Sequence, residues 1–226
     1  MGELSFLHDH VITIMFRVII LIIYIIFYML INLKYYKFLS EGTFIETVWS
    51  IVPAFLLIIL VFPSIKVLYI VEDIKTPSFT FKVVAHQWYW TYVSPFFHSF
   101  VLSCSLLESF SFDSVFLEDS SELRTLSRGA SLFIPVNSVS RFLVTSRDVI
   151  HSFALPSIGL KVDALPGRIN QIFANPSRVG VFVGQCSEIC GSNHSFMPIS
   201  LSVCGLGDFE YSLYGAFKSF INDGDL

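Results

Sequence analysis

The sequence predicts a two-helix transmembrane hairpin, then an all-β sandwich of Greek-key type, then a short C-terminal helix. Three observations predict it. Two apolar runs near the N-terminus, Val11 to Leu33 and Val48 to Val71, are each long enough to cross a bilayer. Beyond residue 71 the texture changes to short β-type runs separated by Pro, Gly, Asn and Ser. Only 14 % of the 226 residues are charged while 54 % are hydrophobic, against roughly 25 % charged in soluble domains. These place one domain at residues 1–71 and a second at 72–226.

Residues 1–10 are polar to mixed and carry neither the basic start nor the small-residue cleavage site of a secretory signal peptide. The first run, of 23 residues, is interrupted only by Thr13, Arg17 and Asn32. As a helix it covers about 35 Å, enough for a hydrocarbon core of about 30 Å. Arg17 lies near the end of this run, where its long stem can carry the charge to the interface. Residues 34–47 form a short connection with Lys34 and Lys37. The second run holds Pro53 and Pro63, tolerated where neighbouring groups satisfy the freed carbonyls. Tyr35, Tyr36, Trp49 and Tyr69 suit interfacial belts. Two spans return the chain to its starting side. The positive-inside rule puts the Lys34/Lys37 loop in the cytoplasm or matrix and residues 72–226 opposite.

Strands are predicted at Phe79–Ala85, Gln87–Tyr92, Phe97–Leu106, Ser131–Val136, Arg141–Thr145, Ile169–Ala174, Val179–Gly184 and Pro198–Cys204. A helix over Asp208–Ile221 follows, with Phe209, Leu213, Ala216, Phe217 and Phe220 at helical spacing and Asp208 as its N-cap. Net charge is −4, and all of it lies beyond residue 71, where acids number 14 and bases 10. Without a clustered basic footprint, nucleic acid is excluded as a partner, whereas a basic protein fits the sign.

The chemistry concentrates in Cys186-Ser-Glu-Ile-Cys190-Gly-Ser-Asn-His194-Ser-Phe-Met197. Two thiols, an imidazole and a thioether within twelve residues are soft donors of the kind copper selects. Zinc sites pair a C-x2-C or C-x4-C with a second pair, and none is present. A single blue copper takes one Cys and two His, so this loop has one thiol too many and one imidazole too few. His151, opening an apolar segment about 35 residues upstream, is the best candidate for the second imidazole, since two neighbouring strands can converge across that separation. Five donors exceed one tetrahedral copper. They suit two coppers bridged by both sulfurs, each capped by a His, with Met197 weakly axial on one and the main-chain oxygen of Glu188 on the other. Competing readings are a structural zinc or disulfide domain, a core histidine at 151 and core filler at Met197. The four cysteines allow two disulfides, but Cys104 and Cys204 sit in apolar runs and read as buried small hydrophobes.

The sequence resembles subunit II of the haem-copper cytochrome c oxidase family in its mitochondrial form. The resemblance is carried by Ala-His86-Gln-Trp88-Tyr89-Trp90, Asp148-Val-Ile-His151-Ser, Gly159-Leu-Lys161-Val-Asp163-Ala-Leu-Pro-Gly-Arg168-Ile-Asn-Gln, and Gly184-Gln-Cys186 through Met197-Pro, and runs from His8-Asp9-His10 to the final helix. It implies a cupredoxin-like sandwich with a dinuclear copper A centre on His151, Cys186, Glu188 (main-chain oxygen), Cys190, His194 and Met197. It implies electrons accepted from cytochrome c and passed to haem in subunit I, where oxygen becomes water. Trp88 matches the tryptophan through which the electron enters, and the Glu188 carboxylate a magnesium ligand shared with subunit I. Glu46 matches the acid at the mouth of a proton channel, and Lys161, Asp163 and Arg168 polar contacts to subunit I. The implied place is the mitochondrial inner membrane, multi-pass, with the copper domain in the intermembrane space. The Phe- and Ile-rich composition fits that compartment. A membrane-tethered dinuclear copper carrier without an oxidase core is the competing function. One stretch departs from the family: residues 93–112 are apolar with only Glu108, where relatives carry several acids. Electrostatic steering of cytochrome c is therefore expected to be weaker or relocated, or the segment to be covered by another subunit.

Overall fold

The computed structural model describes residues 1–32, 38, 40–73, 75–94, 111–118 and 129–222, the last seven by backbone only. Leu33, the Lys34/Lys37 loop with Tyr35 and Tyr36, the expected strand Phe97–Leu106 with Cys104, and Glu108, Asp119 and Glu122 lie outside these residues. So do the side chains of Ala216, Phe217 and Phe220. The chain divides into two compact units, Met1–Asp73 and Ile74–Leu226.

The first unit is two helices, α1 (Gly2–Ile31) and α2 (Thr43–Glu72), each long and apolar enough to cross a membrane. α1 buries none of its side chains. A helix apolar all round and uncovered in its own chain needs lipid or a partner against it. Both helices exceed the apolar runs, α1 by nine residues at its start. Polar residues 2–10 remain helical because the hydrogen-bond ladder continues past the apolar span, and Glu3 in the first turn complements the helix dipole. Pro53 and Pro63 lie inside α2 without ending it. Lys66 Nζ meets Glu3 Oε2 at 3.2 Å, tying the head of α1 to the last turns of α2 in an antiparallel hairpin. At the other end Glu46 Oε1 accepts the backbone N–H of Gly42 at 3.3 Å, so this carboxylate closes the first turn of α2.

The second unit is a β-sandwich of two five-stranded sheets. One has the order β3-β2-β1-β5-β8, from β1 (Phe79–His86), β2 (Tyr89–Val93), β3 (Ser111–Ser114), β5 (Ser140–Ser146) and β8 (Asn170–Ala174). The other has the order β4-β10-β9-β6-β7, from β4 (Leu132–Pro135), β6 (His151–Leu155), β7 (Leu160–Ala164), β9 (Gly180–Cys186) and β10 (Pro198–Cys204). β1 runs parallel to β5 and β4 parallel to β10, so both sheets mix directions, as crossing Greek-key connections require. Alternate residues face inward: Phe81, Val83 and Ala85 from β1, Phe142 and Val144 from β5, Ile199, Leu201 and Val203 from β10. Trp90 meets Phe153 edge-to-face at 5.3 Å across the sheets, and Phe142 lies 6.1 Å from Phe153. Each such buried ring contributes about 2 kcal/mol through removal from water. The short helix α3 (Leu206–Asn222) lays Phe209 against Phe79 at 5.1 Å, which covers one end of this core.

Several boundaries differ from expectation. β2 begins at Tyr89, not Gln87: His86 pairs with Tyr89, their rings stacked at 4.6 Å, leaving Gln87 and Trp88 as a two-residue turn. α3 begins at Leu206, where the Gly205 carbonyl accepts Phe209 N–H, so Asp208 sits in the first turn and is not the cap. β3 and β7 were not expected as strands, and β6 was expected only as an apolar segment opened by His151, without bounds. Cys204 is only half-buried, with its sulfur 3.8 Å from the Ile134 carbonyl.

Candidate metal centre

The donor residues converge where β6 and β9 lie side by side. Phe153 pairs with Cys186 and Ala154 with Gln185, so His151 at the start of β6 faces the loop that leaves β9. That approach depends on Gly184, since a Cβ there would stand 1.9 Å from the Ala154 carbonyl oxygen. The loop from Ser187 to Met197 returns into β10, fastened by Cys186 N–H to the Met197 carbonyl at 3.2 Å and Ser187 N–H to the Ser152 carbonyl at 3.1 Å.

The sulfurs of Cys186 and Cys190 are 4.0 Å apart. A disulfide needs about 2.05 Å, so both are free thiols. His151 presents Nδ1 to the Cys186 sulfur at 3.9 Å, and His194 presents Nδ1 to the Cys190 sulfur at 3.5 Å. The Glu188 carbonyl oxygen lies 3.4 Å from the Cys186 sulfur. His151, Cys186 and Cys190 are buried, and their donor atoms lie within 4.8 Å of one another, a group that could hold a metal ion. Met197 is fully buried where the loop enters β10.

The electrostatics match a site built for cations. Burial raises the Cys186 thiol, but the His151 hydrogen bond and nearby backbone groups outweigh it and bring the net value down. Cys190 moves up, through burial and the adjoining Cys186 charge. The two thiols thus titrate as a pair: one ionises readily and the other resists until positive charge arrives. Burial depresses His151, yet Cys186 and Asp148 raise it overall. Its Nε2 lies 2.8 Å from Asp148 Oδ1, which fixes the ring and leaves Nδ1 for the centre.

Asp148, exposed at the surface, therefore positions a donor. Asp148→Asn is expected to weaken retention of any metal held there about 10- to 100-fold, the range for lost outer partners, read by chelator competition. A loss below about twofold would leave the carboxylate without this role.

The structure places the remaining candidates apart from or around the cluster. Trp88 packs its ring over Gly191, and Trp90 is a buried core ring 6.1 Å from His151. The Glu188 side chain is exposed. Lys161, Asp163 and Arg168 are exposed on and after β7, the edge strand beside β6, with Asp163 accepting from Ser152 Oγ at 2.8 Å. Glu46 belongs to the helical unit. Sequence reasoning missed Gln87, whose Nε2 donates to the Cys190 carbonyl at 2.7 Å. Its only signal was adjacency to Trp88.

A two-sheet sandwich with a buried His–Cys–Cys cluster, following two membrane-length helices, defines a membrane-associated protein with an all-β domain whose cluster could hold a metal. Residues 79–204 match the family described as "Cytochrome C oxidase subunit II, periplasmic domain", and residues 1–67 its "transmembrane domain". Among curated proteins, cytochrome c oxidase subunit 2 of Myxine glutinosa is 43 % identical over 93 % of this chain and 90 % of its own. That of Branchiostoma floridae is 44 % identical over 93 % and 89 %. Among solved structures, the periplasmic domain of subunit II of the Bradyrhizobium japonicum cytochrome oxidase is 38 % identical, with a TM-score of 0.58, over 66 % of this chain and 99 % of that one. The chain belongs to the cytochrome c oxidase subunit II family, whose members are parts of an oxidoreductase complex.

Proposed function

We propose that this chain accepts electrons from reduced cytochrome c at a dinuclear copper A centre. It passes them to haem in subunit I, where oxygen is reduced to water with proton pumping. The observation that carries this reading is the paired geometry: two sulfurs 4.0 Å apart, each with an imidazole Nδ1 against it. His151, Cys186, the Glu188 main-chain oxygen, Cys190, His194 and Met197 would hold two copper ions. Copper bound there supplies one-electron transfer. The protein's part is rigidity. The donors are set on a strand pair and a short fastened loop, and burial of both thiols keeps water from the sulfurs, so little rearrangement accompanies a change of charge. Trp88, seated over Gly191, is the route by which the electron enters. The exposed Glu188 carboxylate is free to share a magnesium ion with subunit I. Glu46 would stand at the mouth of a proton channel. Its bond to Gly42 N–H is the competing, structural use of the same carboxylate. The location that fits is the mitochondrial inner membrane, with the copper domain in the intermembrane space.

Electron paramagnetic resonance of the oxidised complex tests the centre. Two equivalent coppers sharing one unpaired electron give a seven-line hyperfine pattern. A four-line single-copper spectrum, or none as for zinc, would refute it.

A further inference from the structure

Resting on the copper reading above, we infer that Gln87 is a positioning residue for the metal loop, and that the Gln87–Trp88 turn is a clamp joining both donor-bearing segments.

The turn closes the β1–β2 hairpin in the opposite sheet from β6 and β9, so it approaches the centre from outside their strand pairing. It makes three connections. The Gln87 backbone N–H donates to Asp148 Oδ2 at 2.6 Å. The other oxygen of that carboxylate lies 2.8 Å from His151 Nε2. The Gln87 side-chain amide donates to the Cys190 carbonyl at 2.7 Å. Trp88 occupies the space over Gly191, where a Cβ would come within 3.0 Å of the indole Cζ2 and Nε1. Gly191 has φ +133°, a conformation side chains rarely adopt, so the loop turns sharply here to admit both the indole and the amide.

One residue thus holds the imidazole side through Asp148 and the thiol side through Cys190. Among the described residues, the other hydrogen-bond contacts of Cys190 are local, its sulfur to Cys186 and to His194. The β9 ladder ends at Cys186, and the next β-ladder residue is Pro198. Across this loop the backbone bonds are Cys186 to Met197 and Ser187 to Ser152 at its ends, and the local turns His194 to Gly191 and Phe196 to Asn193. The Gln87 amide is the long-range hydrogen bond that reaches Cys190. The partially buried setting strengthens it, and without it the Cys190 carbonyl would lose its partner. Gln87 is itself exposed. The surface beside the electron's entrance and the geometry of the second thiolate are therefore linked through a single side chain.

The test uses the full chain in its membrane complex. Gln87→Met keeps side-chain length and the backbone bond to Asp148 but removes the amide donor. It is expected to lose copper to a competing chelator about 10- to 100-fold faster than wild type, with altered hyperfine splitting and a shifted midpoint potential. Unchanged chelator kinetics, spectrum and potential, with only the KM for cytochrome c altered, would overturn the inference and leave Gln87 as a surface contact. Should Gln87→Met fail to assemble, Gln87→Glu serves as the second variant. It stays polar and also lacks the donor, so the same loss is expected and the same invariance would be fatal. Wild type in the same assay separates the two readings: no copper signature there fails the proposed function, not the clamp alone.

Discussion

Cys186→Ser is expected to empty the centre. Copper per chain in the purified complex should fall more than about 100-fold at fixed chelator, beyond the range of outer partners. The seven-line pattern should vanish, and electron uptake from reduced cytochrome c should fall in parallel. Cys186 is the hub of the cluster. Its sulfur stands 3.9 Å from His151 Nδ1, 4.0 Å from the Cys190 sulfur and 3.4 Å from the Glu188 carbonyl. A hydroxyl in its place is a hard donor that stays protonated and draws copper poorly. The fold should survive, because the backbone bond from residue 186 to the Met197 carbonyl does not involve the side chain. Circular dichroism like wild type alongside lost copper is the signature. Retention of the seven-line pattern in Cys186→Ser would mean that the Cys186 sulfur is not among the atoms that would hold the copper.

The donor set was legible in the sequence because its chemistry is local. Cys186, Cys190 and His194 recur at four-residue spacing in one loop, and counting donors required a distant imidazole. His151 does arrive, through β6 pairing with β9. The extent of the strand that delivers it was not legible. All five residues of β6 are buried, His151 and Ser152 included, so no alternation marks it. β3 fails for the opposite reason: four residues with two exposed carry too little apolar pattern. The turn at Gln87–Trp88 contains no Gly, Pro or Asn, so nothing announced that Gln87 leaves the strand and faces Cys190. Asp148 was visible as an acid, but its bond to His151 needed the bend between β5 and β6, where Ser146 Oγ also donates to the Val149 carbonyl. Hydropathy marks what a bilayer covers, while the helical ladder ends on its own terms. Thus α1 begins at Gly2, not Val11.

Gly184→Ala should cost more than any single donor, because it acts on the frame that brings them together. The added Cβ would meet three backbone atoms: the Ala154 oxygen at 1.9 Å, the Ala154 carbon at 3.0 Å and the Leu155 Cα at 3.3 Å. No rotamer relieves a clash with main chain, so β9 must move off β6. Those strands pair only at Phe153–Cys186 and Ala154–Gln185, both next to the clash. The movement therefore breaks the sheet and separates His151 from the thiols together. A loss of about 3 kcal/mol or more is expected, a large part of the roughly 5–15 kcal/mol available to a domain. In membranes this should read as a chain that is cleared by proteolysis and holds no copper. Gly207→Ala is the matched control. It lies in α3 with nothing within 4 Å of its added Cβ, and there alanine is favoured over glycine by about 0.5–1 kcal/mol. Equal protease resistance and copper content in the two variants would show that β6 yields to a methyl group, and that the close strand approach is not what assembles the centre.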